Sequence, residues 1–321
     1  MAKSKSDHER QKWDQYYQSL EPEAESGEII AFRDQLVEVI QALLPEGGRV
    51  LEAGCGAGMQ SLALARRGLD VTLLDFSEQA LNQARRRFAH HGLKATFLLQ
   101  DAFEPGQPDF DLVFNAGVLE HYSFDQQVDF LRAMASRSKK YVLALVPNRH
   151  NYWYWIWRTH KTGQNRWPFG KEIPTASLED AFAAAGLHPL GDAYFGATWT
   201  ETFIAGLDGL SDGLKSLIVD IHRSGLFPPS QTGYLVATLG SVEPISRPDG
   251  WQRFDQIDSP AAETLSAALA DALALGVSTS RDAQQLRDEI ISKLTDVLNR
   301  IQRLEQRDTV ELLERVREME R

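Results

Sequence analysis

The run Val50-Leu51-Glu52-Ala53-Gly54-Cys55-Gly56-Ala57-Gly58 constrains this chain more than any other stretch. Its first residues suit a strand, and Met59–Arg67, closed by Gly68, has helical spacing. Three glycines between them let a tight turn take positive φ and let a ligand approach bare backbone. A turn that only packs strand against helix would use the same glycines, so the next acidic position matters. Asp75 ends the following strand candidate, 21 residues after Gly54. A carboxylate there can accept hydrogen bonds from two ribose hydroxyls.

The turn sits in a regular alternation. Strand candidates are Arg49–Ala53, Asp70–Leu74, Ala95–Gln100, Asp111–Asn115 and Tyr141–Val146, with helices predicted over Met59–Arg67, Ser77–His91 and Phe124–Ser136. Ser77 is an expected N-cap, since its hydroxyl can satisfy an orphan backbone N–H. Such alternation predicts a doubly wound α/β fold built on a mostly parallel sheet with right-handed crossovers. Leu178–Ala185 and Leu210–His222 are further helix candidates, and Leu187–Phe195 and Tyr234–Leu239 late strands.

The glycine spacing is not the dinucleotide G-x-G-x-x-G. With Glu52 ahead of it, Glu52-x-Gly54-x-Gly56-x-Gly58 resembles the first motif of the class I S-adenosylmethionine-dependent methyltransferases. The likeness continues through Asp75, through Gln100-Asp101-Ala102-Phe103 after the third strand, and through Asp111–His121 at the fourth strand and its exit. It implies a Rossmann-like sheet of seven strands whose last hairpin is antiparallel, with S-adenosylmethionine as cofactor. The implied cofactor-binding set is Glu52, Gly54, Cys55, Gly56, Asp75, Phe76, Asp101, Ala102, Phe103 and Asn115. Within it Gly54 and Gly56 meet the methionine part, Asp75 the ribose, Asp101 the adenine amino group, and Phe76 or Phe103 the ring. Ordinary packing is an equal reading of the two phenylalanines.

Methyl transfer to a hydroxyl requires an oriented nucleophile and removal of its proton. Glu120-His121-Tyr122 follows the fourth strand and supplies the catalytic candidates, His121 as the base because its ordinary pKa of about 6.5 suits the task. Holding the loop is the alternative role for Glu120 and His121. Gly117 stands where some quinone-precursor methyltransferases place a further metal-binding acid, so no metal is expected.

The flanks divide the chain into residues 1–48 (N-terminal helices), 49–240 (methyltransferase domain), 241–258 (linker) and 259–321 (helical). Segments 147–177 and 196–232 are expected to shape the acceptor site. Trp13, Tyr16 and Tyr17 form either a lid over the cofactor or a stripe packed on the core. The aromatic run Tyr152–Trp157 reads as a sugar or apolar acceptor platform, a membrane-surface contact, or core. Ile290, Leu294, Val297, Ile301 and Leu304 step as a heptad seam, which predicts a coiled-coil homo-oligomer through residues 280–321, folding back on Ala261–Leu275 being the alternative.

Charge and cysteine content narrow the function. With 34 basic against 45 acidic side chains the net charge is −11, which disfavours a nucleic-acid substrate. One cysteine, Cys55, leaves no internal disulfide and fits a reducing compartment. No apolar run of spanning length occurs and the N-terminal residues do not read as a secretory signal. The expectation is therefore a cytoplasmic enzyme with peripheral membrane contact at most. It methylates a hydroxyl of a small molecule, a saccharide or a lipid-linked glycan; a non-catalytic nucleoside-binding scaffold that recruits partners through the coiled coil is the alternative.

Overall fold

The computed structural model describes residues 7–19, 27–164, 166–223 and 227–252. The heptad seam and the helix expected at Ala261–Leu275 lie outside the described residues. In chain order the elements are α1 (Asp7–Ser19), α2 (Gly27–Leu43), β1 (Arg49–Ala53), α3 (Met59–Arg66), β2 (Asp70–Asp75), α4 (Glu78–His90), β3 (Thr96–Leu99), β4 (Phe110–Ala116), α5 (Phe124–Arg137) and β5 (Ser138–Pro147). There follow α6 (Tyr152–Gly163), α7 (Glu179–Ala184), β6 (His188–Phe195), α8 (Ala197–Ala205), α9 (Asp212–Arg223), α10 (Pro229–Thr232), β7 (Leu235–Ser241) and α11 (Asp249–Gln252).

The seven strands form one sheet in the order β3-β2-β1-β4-β5-β7-β6. β1 pairs in parallel with β2 and β4, and β7 pairs antiparallel with both β5 and β6. This is the doubly wound, mostly parallel sheet with a terminal antiparallel hairpin expected above. Side chains alternate across it. Tyr141, Leu143 and Leu145 of β5 join the core under α2, α3 and α4, while Val142, Ala144 and Val146 face α5 and α7. That period of two lets one buried strand serve both layers. The strand order reverses between β1 and β4, and in open α/β sheets ligands bind beyond the carboxyl ends of the strands at such a switch point.

Local chemistry fixes the connections near this point. Gly58 (φ 72°) precedes α3, and a Cβ there would collide with Leu73 and Ala84, so a side chain would push β2 and α4 away. Ser77 caps α4 by accepting from Ala80 N at 3.1 Å, as its position suggested.

One open reading narrows and one expectation changes. The aromatic run is the first half of α6, and Trp153, Tyr154 and Trp155 are buried, so most of it is core. The stretch 241–258 does not start as a free linker: Ser241 completes β7 and Trp251 of α11 is fully buried in the core beside α2. Gly250 packs against Ala42 so closely that a Cβ would meet its carbonyl oxygen at 2.7 Å. No helix among the described residues is long and apolar enough to cross a membrane.

Replacing Trp251 with Ala is expected to cost about 3–5 kcal/mol, the range for a large buried aromatic. Urea denaturation of the full chain, followed by the loss of secondary structure, would measure it. A change near zero would show that α11 does not belong to the core.

Candidate active site

The glycine turn is shaped by β2. Gly54 and Cys55 both donate backbone N–H bonds to the Leu74 carbonyl, at 2.8 and 3.0 Å. The Asp75 carboxylate then accepts from Gly56 N through one oxygen and from Ser77 N through the other, each at 2.8 Å. Turn, strand end and helix start are thereby one unit. Gly56 has φ 51°, and a Cβ on it would overlap the Tyr17 hydroxyl.

The cleft above this unit holds about 520 Å³ of empty space counted to its open mouth. Of the sequence-predicted residues, Gly54, Asp75, Phe76, Asp101, Ala102, Phe103, His121 and Tyr122 line it. Among the described residues no lysine or arginine does. Acidic oxygens without a cation suit a ligand whose recognised groups are neutral hydroxyl and amino donors. They suit a phosphate poorly, since an anion needs donors or positive charge.

Other predicted residues stand elsewhere. Glu52 lies behind the turn, where one carboxylate oxygen accepts from both Ser61 N at 3.1 Å and Ser61 Oγ at 2.5 Å. Burial pushes its pKa up to about 8 despite those two bonds. The Cys55 side chain is buried and its thiol pKa is raised by that burial, with Asp75 adding to it. Asn115 is fully buried and turns its amide nitrogen to Met134 Sδ of α5, at 3.2 Å. None of these three lines the cleft, because each follows the strand's alternation or the turn's reverse face. Gly56 is covered by Tyr17. Phe103 packs edge-on against Tyr122 and Phe130 at 5.0 and 5.1 Å, so its packing role is real whatever else it contacts.

α1 forms one wall. Trp13 and Tyr17 line the cleft, Asp14 accepts from Ser77 Oγ at 2.5 Å, and Gln83 donates to the Tyr17 carbonyl. Burial, followed by the nearby Asp75 charge, raises the Tyr17 pKa well above its ordinary value, so the phenol keeps its proton. Phe169, which no sequence pattern marked, sits against Trp13 and Tyr16 at 6.1 and 5.2 Å.

At the exit of β4, His121 Nδ1 lies 2.9 Å from the Lys171 carbonyl. A carbonyl only accepts, so Nδ1 is the protonated nitrogen and Nε2 the basic one in the neutral ring. Nε2 stands 3.9 Å from Glu120 Oε1. Glu120 is buried, and its carbonyl accepts from Ile173 N at 2.7 Å. Tyr122 is buried against Phe103 and Phe130. Glu120, His121 and Glu172 bring polar atoms within 4.8 Å of one another. However, Glu172 is already neutralised by Arg158 at 2.8 Å, which makes the trio a charge cluster and a poor cation cage.

A sequence profile described as "Methyltransferase domain" matches residues 50–140, the segment carrying every residue of the turn and the β4 exit. Residues 50–140 carry the sequence of a methyltransferase domain. This domain is 33% identical over 118 residues to a magnesium-protoporphyrin O-methyltransferase of Rhodobacter capsulatus, covering 36% of this chain and 51% of that protein. It is 33% identical over 106 residues to a ubiquinone biosynthesis O-methyltransferase of Bordetella avium, covering 32% and 44%. A ribosomal RNA small subunit methyltransferase C of Alcanivorax borkumensis is 32% identical over 119 residues, covering 35% and 36%. The matches thus span about half, or less, of those relatives' lengths. Among solved structures, magnesium protoporphyrin IX methyltransferase from Synechocystis PCC 6803 with bound SAH is 16% identical at a TM-score of 0.46, covering 73% of this chain and 94% of that one.

The buried carboxyl under the methyltransferase turn has a pH signature. Glu52 holds its proton to about pH 8 when folded, against an ordinary 4.5. Below the lower value both states are protonated; between the two only the folded state is, so stability falls as pH rises through that window. Glu52→Gln should flatten this slope, read as the melting temperature at pH 5 and pH 8. An unchanged slope would mean that Glu52 is ionised in the folded protein.

Proposed function

We propose that the chain transfers a methyl group from S-adenosylmethionine to a hydroxyl oxygen of a small molecule, with His121 as the base. The observation that carries this reading is the Nδ1 contact to the Lys171 carbonyl, which makes Nε2 the basic nitrogen of a ring lining the cleft. When bound, the cofactor supplies an electrophilic methyl group on a positively charged sulfur. Gly54 offers it bare backbone, Asp75 accepts from the ribose hydroxyls, and Asp101 accepts from the adenine amino group. Each Asp75 oxygen takes one backbone N–H, and a carboxylate oxygen can accept from more than one donor. Tyr17, whose hydroxyl lies over Gly56, adds a phenolic donor at the methionine end.

The proton of the acceptor hydroxyl passes to His121 Nε2 as the oxygen attacks. The Glu120 carboxylate beside that nitrogen stabilises the imidazolium that results. Trp13 and Phe76 line the same cleft and add apolar surface beside these polar groups. Two of the relatives carry O-methyltransferase in their names, which favours oxygen as the methylated atom. The burial of Trp153, Tyr154 and Trp155 removes most of the platform that would have favoured a saccharide, which supports the small-molecule reading.

Two variants test the reading. Asp75→Ala removes acceptors of charge-assisted hydrogen bonds, each worth about 1.5–3 kcal/mol. Calorimetry with S-adenosylmethionine should show affinity reduced at least tenfold; equal affinity would overturn the cofactor site. His121→Ala should lower methyl transfer to phenolic and alcohol probes about a hundredfold, the scale of a positioned base, with cofactor affinity unchanged. Native-like turnover by that variant would remove His121 from the chemistry.

A further inference from the structure

We propose that Arg158 and Glu172 are positioning residues that set the protonation geometry of His121 through the Gly170–Ile173 segment. The inference rests on the reading of His121 as the base. Four successive residues of that segment are tied down. The Arg158 guanidinium donates to the Gly170 carbonyl at 2.9 Å, and its Nε pairs with Glu172 at 2.8 Å. Tyr154 donates to the same Glu172 carboxylate at 2.5 Å. Between those two anchors the Lys171 carbonyl takes the His121 Nδ1 proton, and after them Ile173 N donates to the Glu120 carbonyl. One cation therefore clamps both neighbours of the carbonyl that faces His121 Nδ1.

The housing of that cation explains the aromatic run. Arg158 lies over the Trp155 ring at 5.7 Å and the Trp167 ring at 5.3 Å, and its side chain and that of Glu172 are 7% and 4% exposed. A buried ion pair is a poor device for stability, because desolvation offsets most of its Coulomb attraction and an apolar pair packs as well. It is a good device for fixing direction, because a planar guanidinium holds its partners in a set geometry. α6 thus acts on the reaction from the back of the site. Its arginine touches neither the cleft lining nor the reacting atoms.

The test reads the tautomer directly and needs no turnover. In protein labelled with 15N-histidine, at a pH where the ring is neutral, the His121 signals (assigned with His121→Gln) should show a pyrrole-type Nδ1 and a pyridine-type Nε2. Glu172→Gln keeps the shape and removes the charge; Arg158→Lys keeps the charge and removes the fork. In each, the ratio of Nδ1–H to Nε2–H forms should fall at least tenfold, while calorimetric affinity for S-adenosylmethionine stays within about twofold. Tyr154→Phe, the mildest change, should move the ratio in the same direction and by less. An Nε2–H ring in the native protein, or a ratio unchanged in folded Glu172→Gln and Arg158→Lys, would overturn the proposal. Failure of the native protein to bind S-adenosylmethionine would instead overturn the methyl-transfer reading, with the tautomer result standing by itself.

Discussion

The Asp75 carboxylate is the joint on which the rest depends. One oxygen holds Gly56 N and the other holds Ser77 N, so a single side chain sets the glycine turn and the start of α4 together. Ser77 in turn donates to Asp14, which carries α1 to the rim of the cleft. Because the brace comes from the protein, the turn is shaped before any ligand arrives, and binding spends no free energy ordering it. In the proposed reading the same carboxylate also serves as a ligand acceptor, since a carboxylate oxygen can take more than one donor. A neutral amide at this position would keep one acceptor and place a donor against a backbone N–H.

The fold was legible because burial on both faces writes a simple pattern. Tyr141–Val146 is a continuous apolar run, and its alternate residues feed the two cores. Strand centres follow from such runs, while their ends do not. β5 begins at Ser138, where it pairs with Phe110 of β4, and ends at Pro147, where it pairs with Leu235 of β7, so its ladders extend past the apolar stretch. Trp251 was missed for a related reason. It sits among Pro248, Gly250 and polar neighbours that read as linker, and the core it joins, beside α2, is far away in the chain.

The site was half legible. Backbone-presenting glycines and the acids that end strands are fixed by local geometry, and Gly54, Asp75 and Asp101 line the cleft as expected. Glu52 and Asn115 are as close in sequence yet face other partners, since a strand turns successive side chains to opposite sides. Arg158, Phe169 and Glu172 were not legible at all. Phe169 and Glu172 meet α1 and the β4 exit, both distant in the chain, and Arg158 acts through Gly170 and Glu172, so no spacing within their own segment encodes those encounters.

The depth of the Arg158–Glu172 pair has a consequence for how the protein behaves in different media. Arg67–Asp34 and Arg49–Asp70 pair at 3.6 Å with about half or more of each side chain in water. Such surface pairs weaken as ionic strength rises and the screening length shortens. Arg158 and Glu172, nearly out of solvent between two indole rings, are reached by few mobile ions. The backbone that faces His121 therefore keeps its place from dilute buffer to concentrated brine, while the charged periphery loosens around it.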